Sequence, residues 1–308
     1  MIASAEAPGK AIVIGEHFVV HGAWALAAAL NRKVRVDVAQ SDRFSVRSEG
    51  LRLGRSSLAP ISAVVEAIKR EHSLDPRVSI RIRSELPEGS GLGSSASTMV
   101  AVAAAISRLN SLGLSRTELI RFAMAGETVI HGRPSGIDPT VCALGGVLLF
   151  KRGEKPKTVA LVRPASLIVV YSGKKRKTRA LINRVSGMKK KYPGLFQGLA
   201  QAATEVSHLA AQRLRERDEV GLGGLLTFNH AVLSAVGAST PFLDRLVDTL
   251  LTLGCTGAKM TGAGGGGSVI AVSRRGKEKS TVTELRARGF EAFQAVIPVE
   301  GVKSWLGR

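Results

Sequence analysis

Aromatic side chains are scarce in this sequence: Phe, Trp and Tyr together make up 4% of it. That removes most of the stacking platform on which single-stranded nucleic acid is held, although the chain is strongly basic, with a formal charge of +20. Cysteine is nearly missing. Cys142 and Cys255 lie far apart with no partner spacing, which suits a reducing, intracellular setting rather than a disulfide framework. No apolar run reaches the roughly 18 residues of a membrane span. The N-terminus shows no basic segment leading into an apolar one, so no signal peptide is expected. Asn and Gln are few, four and five, a bias shared by thermophile proteins and skewed genomes. These absences point to a cytoplasmic globular protein, which the 44% hydrophobic and 22% charged content supports.

At 308 residues the chain is long enough for two domains. The polar, proline-bearing segment 154–165 separates two apolar strand patterns and predicts a division into residues 1–160 and 161–308. In the first part, strands are expected at KAIVIG (10–15), 34–40, 44–49, 78–85 and in GGVLLFKRG (145–153), with AWALAAAL (23–30) a short apolar segment. Helices are expected at 61–73 and from a Ser115/Glu118 capping box to His131, and GRPSGIDPT (132–140) reads as a loop. The second part predicts a strand at 166–173 and helices at 178–191 and 195–217. A third helix, starting at Thr240-Pro241, should be followed by a strand, glycine loop and strand over 257–272 and a closing helix and strand. Helices and strands mixed in both parts predict an α+β protein with its site between two layers.

The most informative stretch is LPEGSGLGSSAS (86–97), which lies between a strand and the nearly all-apolar helix Thr98–Leu109. Gly89, Gly91 and Gly93 let backbone N–H groups close on a ligand. Ser94, Ser95 and Ser97 put hydroxyls at a helix start, where orphan N–H groups favour an anion. The plain alternative is a serine-capped helix after a flexible turn. GAGGGGSV (262–269) matches the letters of the dinucleotide and protein-kinase glycine motifs, yet a strand follows it, H-R-D and D-F-G are absent, and no Walker string occurs. Four glycines before a buried strand predict close backbone approach to a ligand. Glu16, His17 and His21 lack zinc spacing, and His72 and His131 read as ordinary polar positions.

Glu127 and Asp138 are eleven residues apart beside a phosphate-type loop that has no Walker lysine. Phosphoryl transfer needs a cation held by hard oxygens, a group to orient the attacking hydroxyl, and positive charge near the transferred group. Ser95 or Ser94 with Glu127 would hold the metal, Asp138 would take the proton, and Lys10 would supply the charge. A surface Glu and a turn Asp before Pro139 is the simpler alternative. Residues 174–191 hold nine Lys or Arg and no acid. A solvated helix face is expected there, against the rival of a polyanion-binding stripe that would bind RNA or DNA.

Three motifs carry a resemblance. APGKAIVIGEHFVVHG (7–22), PEGSGLGSSAS (87–97) and KMTGAGGGGSVIAV (259–272) resemble those of the galactokinase, homoserine kinase, mevalonate kinase and phosphomevalonate kinase (GHMP) superfamily. GETVIHGRPSGID (126–138), KTRALINRV (177–185) and NHAVLSAVGAS (229–239) are similar to its archaeal mevalonate-kinase branch. The resemblance implies a ribosomal-S5-like N-terminal domain that binds ATP and a ferredoxin-like C-terminal domain. The implied reaction is transfer of the ATP γ-phosphoryl group to the 5-hydroxyl of mevalonate. Pro87, Glu88, Gly89, Ser90, Gly91, Leu92, Gly93, Ser94, Ser95, Ala96 and Ser97 would cradle the ATP phosphates, and Ser95 and Glu127 would hold Mg²⁺. Asp138 would be the base or orienting carboxylate, with Lys10 paired to it. Glu16, His17, Ser135, Thr178, Gly262 and Ala263 would face the mevalonate. A small-molecule substrate is expected, with no membrane or nucleic-acid partner. The sequence does not set the oligomeric state, with a homodimer one expectation.

Overall fold

The computed structural model describes residues 1–49, 55–75, 77–174 and 178–307, and the side chains of all of these except 55–57, 178–180 and 182. The chain opens with two long antiparallel strands, β1 (Ile2–Ile14) and β2 (Ala25–Gln40). The alanine-rich segment predicted as a separate piece is continuous with the next strand. Its alternate residues enter two different cores. Leu26, Ala28 and Leu30 join the main one, while Ala25, Ala27 and Ala29 face Ile137, Val141 and Phe150. A strand buried on both faces loses the polar alternation by which it would be recognised.

β3 (Ser45–Ser48), α1 (Arg55–His72) and β4 (Val78–Ser84) follow, with β3 parallel to β4. Next come α2 (Ser94–Leu109), α3 (Arg116–His131) and α4 (Ile137–Leu144), then β5 (Val147–Phe150) and β6 (Lys157–Thr158). α2 runs across β1 and β2 and is buried almost throughout, as its composition predicts. The capping box of α3 forms as predicted, Ser115 bonding the Glu118 amide and Glu118 the Ser115 amide. The expected loop at 132–140 is corrected: its last part is the first turn of α4. Gly136, at φ +90°, turns the chain into that helix, and Pro139 sits in the first turn, where its missing N–H costs nothing.

The second layer consists of β7 (Ala165–Tyr171), α5 (Thr178–Lys191), α6 (Pro193–Glu216), α7 (Glu219–Ala235), α8 (Pro241–Thr252), β8 (Cys255–Thr261), β9 (Ser268–Ser273), α9 (Glu278–Ala287) and β10 (Glu291–Ile297). Its four antiparallel strands lie in the order β10-β7-β9-β8, the ferredoxin-like β-α-β-β-α-β arrangement with extra helices in the first crossover. α7 escapes the sequence reading because glycines interrupt its start. The last strand, β11 (Lys303–Leu306), returns to pair with β1, so the seven-stranded first sheet closes with the end of the chain. The change of sheet falls between Thr158 and Ala165, but residues 303–306 pair with the first sheet. Among the described residues no helix is long and apolar enough to cross a membrane.

The layers meet along β1. Thr261 Oγ1 donates to the Ile12 carbonyl (2.9 Å) and accepts from its amide (3.2 Å), and Ser207 Oγ donates to the Trp24 carbonyl (3.0 Å). β8 is itself held by α7, whose backbone comes so close that a Cβ on Gly257 would lie 1.8 Å from the Gly223 oxygen. Gly257→Ala should therefore destabilise the fold by about 3 kcal/mol or more. Gly224, one residue along and facing open space, should tolerate alanine or gain up to about 1 kcal/mol. Denaturant midpoints measure both, and equal midpoints for the two variants would refute the close-approach reading.

Candidate functional site

Lys10 lies on β1 beside the bulge at Pro8/Gly9, and the glycine-serine loop is clamped over it. The Lys10 amide donates to the Leu92 carbonyl (2.7 Å), and Ser97 Oγ donates to the Pro8 carbonyl (2.7 Å). Gly93 is in the left-handed region, and a Cβ there would meet Lys10 Cγ at 2.8 Å, so only glycine lets the loop cross the lysine stem. The Lys10 ammonium, 2% exposed, reaches Asp138 Oδ1 at 2.8 Å. Asp138 is in the first turn of α4, where the helix dipole favours a carboxylate.

Beside this pair, Ser95 Oγ donates to Glu127 Oε1 (2.7 Å) and His131 Nε2 lies 3.7 Å from Glu127 Oε2. Burial pushes the Glu127 carboxyl up to about 7. The Asp138 charge adds to the rise, while the Ser95 bond and Lys10 oppose it. Burial thus outweighs the cationic help that Lys10 gives this carboxyl. Among the described residues no cluster of three or more His, Cys, Asp or Glu is placed to hold a metal. Ser95 and Glu127 are hard oxygen donors side by side, a chemistry that suits Mg²⁺.

The opposite wall is Glu16 and His17 from the turn after β1, with Gly262 and Ala263 from the glycine run. His17 has φ +63°, and its Nε2 is 3.0 Å from the Ala263 carbonyl. A carbonyl only accepts, so Nε2 carries the proton. Lys259 of β8, fully buried, pairs with Glu16 Oε1. Burial pulls the Lys259 ammonium pKa down, and Glu16 pulls it back up. Between the walls lies a cavity of about 580 Å³ lined by Lys10, Glu16, His17, Glu127, Ser135, Asp138, Gly262 and Ala263, with His21, His131, Arg133 and Arg152 also on its surface.

The structure thus gathers Lys10, Asp138, Glu127, Glu16, His17, Ser135, Gly262 and Ala263 around one cavity, with Ser95 bonded to its wall. Ser135 Oγ accepts from the Ile137 amide (3.3 Å) at the entry to α4. The stretch 87–97 is divided rather than uniform. Pro87, Glu88, Gly89, Gly91, Gly93, Ser94 and Ser95 are at least partly accessible, whereas Ser90, Leu92, Ala96 and Ser97 are buried beneath. Ser97 Oγ donates to backbone carbonyls at Pro8 and Gly93, and Leu92 and Ala96 fill the core, so these side chains support the loop. The Thr178 side chain and residues 175–177 of the basic run lie outside the described residues. Lys189, Lys190 and Lys191 are exposed, in keeping with a solvated face, and Lys189 Nζ is 3.1 Å from His21 Nδ1. His131 is more than an ordinary polar position, because it lines the cavity one helical turn beyond Glu127. Lys259 is a site residue that the sequence does not single out; it reads as one more strand residue, and only its place beside the glycine run signals it.

A βαββαβ-type layer, a first layer with the glycine-serine loop, and a cleft between them are the architecture of the GHMP kinases. The GHMP kinases N terminal domain matches residues 59–146, and the GHMP kinases C terminal domain residues 210–292. The mevalonate kinase of Aeropyrum pernix is 34% identical over 98% of both chains. That of Archaeoglobus fulgidus is 36% identical over 91% of this chain and 95% of its own. The crystal structure of L. major mevalonate kinase in complex with R-mevalonate superposes with a TM-score of 0.83 at 27% identity, covering 96% of both chains. The chain belongs to this family, in its mevalonate kinase branch, and is a phosphotransferase.

Glu127 makes the site sensitive to pH. Its carboxyl is raised from 4.5 to about 7, so between these values the folded chain keeps a proton that the unfolded chain has released. Stability should fall as pH rises through that window and level off above it. Glu127→Gln should lose on the order of 2–3 kcal/mol less than the parent between pH 5 and 8 in metal-free denaturation. Parallel curves for the two proteins would show that the raised carboxyl is not Glu127.

Proposed function

We propose that the chain transfers the γ-phosphoryl group of ATP to the 5-hydroxyl of (R)-mevalonate, giving 5-phosphomevalonate and ADP, a step of isoprenoid biosynthesis. The Lys10–Asp138 pair carries this reading: a buried ammonium and a half-buried carboxylate 2.8 Å apart, on a cavity whose wall is bonded to the glycine-serine loop. Residues 1–160 supply the nucleotide side and 161–308 the facing wall, except for the returning strand at 303–306.

In this reading the backbone amides of the glycine-serine loop cradle the ATP phosphates, at the start of α2 where orphan N–H groups favour an anion. Ser95 and Glu127 would hold Mg²⁺, which would supply charge neutralisation for the transferring phosphoryl group. Asp138 orients the acceptor hydroxyl and takes its proton. Lys10 fixes Asp138 through Oδ1 and keeps an ammonium beside the developing charge. Glu16 and His17, with Ser135 and the Gly262-Ala263 backbone, position the mevalonate, and Arg133 and Arg152 give its carboxylate cationic company. Burial of the Lys10 side chain, 2% exposed, strengthens its attraction for Asp138.

ADP release with mevalonate, phosphomevalonate, homoserine, shikimate and galactose offered separately tests the acceptor. Turnover should appear with mevalonate alone; turnover with another of them instead would replace the substrate and keep the chemistry. Asp138→Asn should lower kcat by about 10²-fold or more with ATP binding retained. Near-parental turnover in that variant would remove Asp138 from the reaction. Glu127→Gln should shift the Mg²⁺ activation curve to higher concentration, and an unchanged curve would count against its role as a ligand.

A further inference from the structure

Lys259 sits in the middle of β8 with no exposed surface. Strand alternation places it on the same face as Thr261, and both side chains reach Ile12 of β1. Thr261 Oγ1 bonds both the carbonyl and the amide of Ile12, whereas Lys259 Nζ approaches the carbonyl only at 3.4 Å. A neutral hydroxyl thus already joins the layers here. A fully buried ammonium costs desolvation, and replacing such a charge by an apolar chain is often neutral or favourable where packing is the only role.

What Lys259 adds is a grip on Glu16. Glu16 is 1% exposed, lines the cavity and receives Lys259 at Oε1. Its other oxygen, Oε2, is buried with no hydrogen-bond partner among the described residues. A buried acceptor left unbonded carries a free-energy cost, and a purely structural ion pair would be expected to use both oxygens. A carboxylate can only accept, so Oε2 suits a hydroxyl and repels a ligand carboxylate. Among the described residues the ion pair of Lys10 is with Asp138, and that of Glu16 is with Lys259.

We propose that Lys259 is a positioning residue of the acceptor site. It anchors Glu16 through Oε1 so that Oε2 receives a hydroxyl of the acceptor alcohol and sets which end of that molecule turns inward. Lys259 is not among the residues lining the cavity and acts through Glu16. The inference rests on the phosphotransfer reading above.

A double-mutant cycle tests it, with Lys259→Met, Glu16→Gln and the pair of substitutions together, read on KM for mevalonate, KM for ATP and melting temperature. Lys259→Met should raise KM for mevalonate about tenfold or more with KM for ATP within about twofold, as loss of a charge-assisted bond does. The double variant should be no worse than Glu16→Gln in KM and should melt above Lys259→Met, because the unpaired carboxylate is gone. If Lys259→Met does not fold, a folded double variant matching Glu16→Gln carries the same support. Equal increases in both KM values, or losses that simply add across the cycle, would overturn the proposal. A parent enzyme that ignores mevalonate but uses another acceptor would fail the substrate reading alone, and the melting-temperature cycle would still decide the pairing.

Discussion

A buried ammonium imposes the strongest constraint on this molecule. Lys10 is 2% exposed, and a charge removed from water to that degree must be paired. The partner comes from α4, more than a hundred residues along the chain, so α4 has to begin where Asp138 can reach. The glycine turn at Gly136 and the packing of Ile137 and Val141 on the second face of β2 put it there. The stem of the same lysine forbids a side chain at Gly93, and the loop that crosses it is drawn down by Leu92 and Ser97. The glycine-serine loop and the acid are thus located by one side chain. The alternating alanines of β2 are part of this arrangement, since larger residues facing α4 would push Asp138 away from Lys10.

The second wall obeys the same rule with a different pair. Glu16 leaves β1 at its end and Lys259 enters from β8, and both are essentially without exposure. Each wall therefore contains one buried lysine paired with a carboxylate, Lys10 with Asp138 and Lys259 with Glu16. The hydroxyl of Thr261 keeps β8 in register with Ile12, while Gly257 lets α7 press on the same strand. A shift of β8 would disturb Glu16, His17 and Ala263 together, because all three depend on that seam.

Much of this was legible in the sequence where local chemistry is distinctive. The glycine-serine loop, the capping box of α3, the Thr240-Pro241 start of α8 and the glycine run between β8 and β9 are short-range signals, and each forms where its residues place it. The long β2 strand was hidden because burial on both faces erases alternation. α4 was hidden because Gly136 and Pro139 mark a turn and a helix start equally well. α7 was hidden by its glycines. Among site residues, Lys10, Glu127 and Asp138 could be picked out by type and spacing, and their contacts could not. Lys259 gave only the weak signal of its place beside the glycine run, since its partner Glu16 follows a strand from the other end of the chain. Ser97 misled for the opposite reason: a serine at a helix start looks ligand-facing until packing turns it toward Pro8.

The basic excess of the chain does not by itself equip the cavity for anionic reactants. Its lining includes the carboxylates of Glu16, Glu127 and Asp138 and the cations Lys10, Arg133 and Arg152, and once Glu16 is matched to Lys259 and Asp138 to Lys10 the two arginines are left facing Glu127. Two of the carboxylates are tied to buried lysines and add little net charge to the space between the walls. Glu127 is the exception. With a hydroxyl on one oxygen and burial raising it to about 7, it stays largely protonated below that pH unless positive charge arrives beside it. In the proposed reading a cation brought in with phosphate oxygens would satisfy that condition and couple ionisation of Glu127 to nucleotide loading. The exposed lysines at the end of α5 then belong to the solvated surface, and the balance inside the cavity turns on one carboxyl group.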